Sequence, residues 1–234
     1  MAGKSMIDFG SAAKLRNPLR VLLVDDHIVF RVAVRALLEQ DRDLVVVGEA
    51  GRGEEAVASV KATRPDVVLM DLAMPGKGGI EATRRIMGLG IGARVLVLTA
   101  LPQERDLLDA LDAGASGFVE KTEAAEHLLH GVRVVAAGRL FLGPEAAKFV
   151  ALQGHQRQGQ VEDEKLAADR LSGRERQVLA LLALGHSPRE IGRQLEASPY
   201  VVADYRARLM DRLGLRRRSE LVEFALHTGL IEAE

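Results

Sequence analysis

The chain has 234 residues, 47% hydrophobic and 28% charged, which suits a soluble globular protein of one large or two ordinary domains. A net charge of −1 gives no electrostatic argument for or against nucleic acid or membranes. Cysteine is absent, which excludes disulfides and thiolate chemistry and fits a reducing cytoplasm, and no apolar run approaches the ~20 residues that cross a bilayer.

Residues 1–18 have no uninterrupted apolar stretch of the signal-peptide kind and read as a disordered leader or tag. From Leu19 to about residue 140, β-branched runs alternate with amphipathic stretches. RVLLVD (20–25), LVVVGE (44–49), DVVLMD (66–71), RVLVLT (94–99) and SGFVE (116–120) predict strands, and 28–40, 52–63, 78–88, 103–113 and 123–137 predict helices. The middle strands are apolar almost throughout, as parallel strands buried on both faces are. Five βα units without hairpin turns predict an α/β doubly wound, five-stranded parallel sheet of the flavodoxin-like kind over 19–140.

Residues 141–170 read as a linker, with room for a short helix after Pro144 and a polar run at 154–170 that has no apolar period. From 171 to 234, Gly, Ser and Pro punctuate an all-α pattern of four helices. Ser172 with Glu175, and Ser187 with Glu190, have capping-box spacing. Val202, Tyr205, Leu209 and Leu213 share one face of the third helix, so they are core residues.

Ligands of an open parallel sheet bind beyond the carboxyl ends of its strands, where strand order reverses. The first predicted strand ends in Asp25-Asp26, the third in Asp71 and the fourth in Thr99, and the fifth reaches Lys121. A single strand-end Asp is an ordinary cap, but crowded carboxylates repel one another and call for a divalent cation. Hard oxygen ligands of this number suit Mg²⁺. Two glycine-rich stretches are set aside. GLGIGA (88–93) precedes a strand and is a helix-exit loop, while PGKGG (75–79) lacks the Walker spacing and reads as a flexible loop.

LLVDDH, VVLMDLAMPGKGG, VLVLTA and GASGFVEK together resemble the successive motifs of a two-component response-regulator receiver domain, over about 19–140. The resemblance implies that Asp71 is the phosphoacceptor and that Asp25, Asp26, Asp71 and the backbone carbonyl of Ala73 hold Mg²⁺. Lys121 would pair with the phosphoryl oxygens, Thr99 and Phe118 would form the switch pair, and His27 would have a helix-entry or loop role in preference to that of a metal ligand. In the family, side chains two residues after the phosphoacceptor and after the switch Thr orient hydrolytic water. Ala73 and Leu101 stand there and cannot hold water, so the resemblance implies a long-lived phosphorylated form. A phosphatase of the haloacid dehalogenase type wants a second Asp at the position of Ala73, so the chain reads as no enzyme beyond its own phosphorylation and slow autodephosphorylation.

LSGRERQVLALLALG, SPREIGRQL, Leu213-Gly214 and RRRSELVEFAL resemble the LuxR-type helix-turn-helix domain of the NarL/FixJ group. The resemblance sends the third helix into the major groove, with Tyr200, Ala203, Asp204 and Ala207 at positions where the family often has Lys or Asn. Residues 171–234 hold ten Arg and no Lys against nine acids. Arg206, Arg208, Arg212, Arg216, Arg217 and Arg218 are the candidate phosphate anchors, and Asp204 is an acceptor suited to a cytosine amino group. The chain thus reads as a cytoplasmic, phosphorylation-controlled transcriptional regulator. Its expected partners are a sensor histidine kinase, double-stranded DNA and, once phosphorylated, a second copy, with no membrane. The alternative is a protein-interaction regulator whose helical domain has weak or no specific readout, a reading kept open by Ala203, Asp204 and Ala207.

Overall fold

The computed structural model describes residues 18–75, 78–100, 104–149 and 158–234. Residues 1–17 of the leader read as 1–18, Lys77 of the PGKGG loop and Leu101 lie outside these residues. β1 (Leu19–Val24), α1 (Ile28–Leu38), β2 (Leu44–Ala50), α2 (Gly53–Thr63), β3 (Val67–Asp71), α3 (Gly78–Gly88), β4 (Arg94–Thr99), α4 (Glu104–Ala113), β5 (Gly117–Glu120), α5 (Ala124–Ala136) and β6 (Phe141–Leu142) alternate along the chain. The strands form one parallel sheet in the order β2-β1-β3-β4-β5-β6.

Side-chain alternation splits the core between the two faces of this sheet. Val21 and Leu23, Val67 and Leu69, and Leu96 and Leu98 pack with α1 and α5 through Val34, Leu38, Leu128 and Val132. Leu22 and Val24, Val68 and Met70, and Val95 and Val97 face α2, α3 and α4 through Val60, Ile86 and Leu111. The nearly continuous apolar runs of β1, β3 and β4 are therefore what a sheet covered on both faces requires.

The sheet has six strands where five were expected. β6 is only two residues long, too short to carry a periodic signal, and lies in the stretch read as linker. It forms because the amides of Phe141 and Gly143 donate to the carbonyls of Ser116 and Phe118, at 3.2 and 2.8 Å. The polar run departs in the same way. Residues 158–169 form a helix, α6 (Gln158–Asp169), built from good helix formers. It docks through Ala168 and leaves Leu166 59% exposed, so its apolar contact is too narrow to leave a period in the sequence.

Four further helices follow: α7 (Gly173–Ala183), α8 (Pro188–Gln194), α9 (Pro199–Leu213) and α10 (Arg218–His227). Both capping boxes form as the spacing implies, and Ser198 caps α9 by accepting from the amide of Val201. Val202 and Leu209 are buried, with Tyr205 and Leu213 packed partly against them. The turn between α8 and α9 is tight: a Cβ on Gly192 would come within 2.5 Å of the Ala197 carbonyl oxygen, so this position admits only glycine. The helices rest on the α3–α4 side of the sheet, and their buried residues form one continuous core with those of that face.

Candidate functional site

Strand order reverses between β1 and β3, and the acids gather there. Asp25 and Asp26 follow β1, Asp71 ends β3, and Asp71 is completely buried. Oxygens of these three carboxylates and a ring nitrogen of His27 lie within 4.8 Å of one another. The Lys121 ammonium, in the turn after β5, stands 2.7 Å from Asp25 and 2.8 Å from Asp71. Burial pulls the Lys121 pKa down, but its hydrogen bonds to Asp25 and Asp71 prevail and hold it above the ordinary value.

The neighbouring backbone fixes these groups. The His27 amide donates to Asp25 at 2.8 Å, and His27 precedes the first residue of α1, the helix-entry place expected for it. The Ala73 amide donates to Asp71 at 3.2 Å. Gly79, in the first turn of α3, is the position that the flexible-loop reading of PGKGG missed. A Cβ there would fall 2.0 Å from the Asp71 carbonyl oxygen, so α3 lies directly on the backbone of Asp71. Thr99 and Phe118 are both buried and line one small crevice with Glu123, Gly143 and Ala146.

On α9 the residues expected to meet DNA face solvent. Tyr200 is 88% exposed, and Ala203, Asp204, Arg206, Ala207, Arg208 and Arg212 are exposed along the same helix. The Asp204 carboxylate pairs with Arg208 one turn later, whose guanidinium also lies over the Tyr205 ring. Arg212 pairs with Glu175 at 2.8 Å, and Arg217 pairs with Glu220.

Arg218 departs from its expected part as a phosphate anchor. Its guanidinium donates to the carbonyls of Leu111 and Ala115 in the sheet-bearing part and of Leu182 and Ala183 in the helical part. With its donors taken up by four carbonyls, it holds the two parts together. Nearby, the Ser219 amide donates to Asp112 at 2.7 Å. Arg94, buried at the start of β4, reaches the Gly185 carbonyl at 2.9 Å, the His186 ring at 2.8 Å and Glu190 at 3.1 Å. Burial, followed by the charge of Arg94, lowers His186 to about 4 and Arg218 to about 10. The only trace of this contact in the sequence is Arg94 itself, a charge opening an otherwise apolar buried strand.

Residues 21–133 match the response regulator receiver domain family, and residues 169–225 match the luxR family of bacterial regulatory proteins. The chain is 36% identical to the response regulator UvrY of Escherichia coli O6:H1 over 218 residues, covering 92% of this chain and 97% of that protein. It is 38% identical to the DNA-binding transcriptional activator DevR/DosR of Mycobacterium tuberculosis over 207 residues, 88% of this chain and 94% of that one. A solved structure of the Salmonella typhimurium response regulator RcsB superposes with a TM-score of 0.55 at 25% identity, covering 89% of this chain and 98% of its own.

Proposed function

The chain belongs to the response regulators that join a receiver domain to a LuxR-type DNA-binding domain, and on that premise we propose that Asp71 is the phosphoacceptor through which a sensor histidine kinase controls DNA binding. The observation that carries this reading is the pairing of Lys121 with both Asp25 and Asp71 at the strand-order reversal. In the transfer, an Asp71 carboxylate oxygen bonds to phosphorus while the bond from phosphorus to the kinase's histidine nitrogen breaks, and the freed imidazole leaves. Lys121 turns from Asp71 toward a phosphoryl oxygen and offsets its charge. Three carboxylates against one ammonium fit a divalent cation. Asp25, Asp26, Asp71 and the Ala73 carbonyl would hold Mg²⁺, which when bound supplies further neutralisation of the phosphoryl oxygens. The Thr99 hydroxyl is the group that follows the phosphoryl oxygens, and the Phe118 ring, lacking a hydroxyl, moves by packing alone.

Ala73 offers no side chain to orient water, so the acyl phosphate persists. Asp71 labelled from acetyl phosphate should decay over minutes or longer, and decay within seconds overturns this part.

On DNA, Arg206, Arg208, Arg212, Arg216 and Arg217 hold backbone phosphates, while Tyr200 and Asp204 face the bases, with Ala203 and Ala207 allowing close approach. The phosphorylated protein binds paired half-sites as a homodimer in the cytoplasm. Among the described residues no helix is long and apolar enough to cross a membrane. Selection of bound fragments from a random duplex pool, with and without acetyl phosphate, tests the reading. Enrichment of a paired motif on phosphorylation supports it, whereas sequence-indifferent binding in both states favours the protein-interaction alternative.

A further inference from the structure

The output helices meet the receiver through their scaffold and leave the reading helix open. The start of α10 packs on α4 through Arg218 and Ser219, while Tyr200, Asp204 and Arg208 stay in solvent. A second attachment lies at the sheet edge. Beyond α10 the chain runs to Ala233, which pairs in parallel with Leu140 just before β6. The Glu234 amide donates to the Leu140 carbonyl at 3.2 Å, and the Leu142 amide donates to the Glu234 carbonyl at 2.9 Å. The Glu234 side chain pairs with Arg139 and lies 3.6 Å from His130, and Ile231 is buried.

β6 is therefore held on both edges. On its inner edge Leu142 is in register with Phe118, and Gly143 donates to the Phe118 carbonyl. On its outer edge the amide of the same Leu142 holds Glu234. Within the sheet these two residues have only β5 on one side and the tail on the other, so a displacement of Phe118 reaches the tail across a single residue.

We propose that residues 231–234 are a latch strand that fastens the DNA-binding domain to the receiver's sheet edge. Phosphorylation of Asp71 releases it through Phe118 and Leu142. Release frees α10 and the surface beneath it, while α9 is accessible in both states. Control thus falls on how output domains are arranged and paired, and not on uncovering the reading helix. The release step rests on the reading of Asp71 as phosphoacceptor; the latch itself does not.

Hydrogen exchange on the full chain tests both parts, following the 138–143 and 230–234 segments with and without acetyl phosphate and Mg²⁺. Mass spectrometry of the intact protein reports phosphoryl uptake in the same samples. Both segments should exchange at least about tenfold faster in the phosphorylated protein. Glu234→Pro, which removes the amide donor at an exposed position, should raise exchange at 138–143 to a similar extent without phosphorylation. Arg139→Ala should give a smaller change in the same direction. A duplex long enough for one output domain should bind Glu234→Pro within about twofold of the unaltered protein, because a site open in both states gains nothing from release. Unchanged exchange in a fully phosphorylated sample overturns the release step, and unchanged exchange in Glu234→Pro overturns the latch. A tenfold gain in binding to the short duplex overturns the open reading helix. No phosphoryl uptake refutes Asp71 as phosphoacceptor, and with it the release step, while the Glu234→Pro comparison still decides the latch.

Discussion

Lys121 neutralises two carboxylates at once, so its loss has a different consequence from loss of the nucleophile. Asp71→Asn removes the attacking oxygen, and gel-shift assay after treatment with acetyl phosphate should find no phosphorylated protein. Lys121→Ala keeps the nucleophile but leaves the buried acids Asp25 and Asp71 without their cation. Slow labelling should survive in that variant, whereas the exchange response at 138–143 should vanish. Gly79 is a third kind of residue, one that acts by having no side chain. With a Cβ 2.0 Å from the Asp71 carbonyl oxygen, Gly79→Ala must push α3 off the site. We expect urea unfolding to report a loss of about 3 kcal/mol, the upper end for overpacking, together with slower labelling of Asp71. In α9, Asp204→Asn breaks the pair with Arg208 and removes the acceptor charge. Selection on random duplexes should then show an altered preference at one base pair, and an unchanged preference removes Asp204 from the readout.

At the scale of elements, what the sequence reveals depends on where an element's stabilisation comes from. β1, β3 and β4 were legible because burial on both faces demands unbroken apolar runs, and the site followed because their ends carry Asp25, Asp26, Asp71 and Thr99. The caps of α7 and α8 were legible because the capping box is local, joining residues three apart. β6 and α6 were not, since one is held by hydrogen bonds to a distant strand and the other by the small side chains Ala167 and Ala168 and a pairing of Glu164 with the distant His227. Arg218 was misplaced for the same reason: its partners Leu111 and Ala115 lie more than a hundred positions earlier in the chain. Glu190 joins the two cases, because it closes the cap of α8 and also pairs with Arg94. Glu190→Gln keeps the capping geometry and loses the charge, whereas Ser187→Ala loses the cap. In the full chain the first should leave helical circular dichroism unchanged, with α8 still capped, while loosening the contact with Arg94. The second should cost about 1 kcal/mol in chemical unfolding.

Across the whole molecule, β4 links two ends of the fold, with Thr99 at the end where the acids gather and Arg94 at the contact with the output helices. That contact brings together Arg94, Arg218, His186, Glu190 and Asp112. Arg94 donates to the His186 ring, which requires a neutral imidazole. Burial and the charge of Arg94 lower His186 from 6.5 to about 4, so an open interface binds the proton more tightly than a closed one. The contribution to closure is therefore full above about pH 6.5 and is lost as pH falls from there toward 4, at most about 3 kcal/mol in total. Energy transfer between dyes on the two domains should report separation on going from pH 7.5 to 5, and His186→Asn should remove that dependence. A separation that persists in His186→Asn assigns the acid response to other groups.

The open face of α9 bears on kinetics. A helix that carries Arg206 and Arg208 into solvent before any signal arrives gives the resting molecule weak, salt-sensitive attraction to any duplex. Molecules held in this way are expected to slide and hop along a duplex while idle. The delay between signal and promoter occupancy would then be set by rearrangement on DNA already in hand, and not by a fresh search through the cell volume.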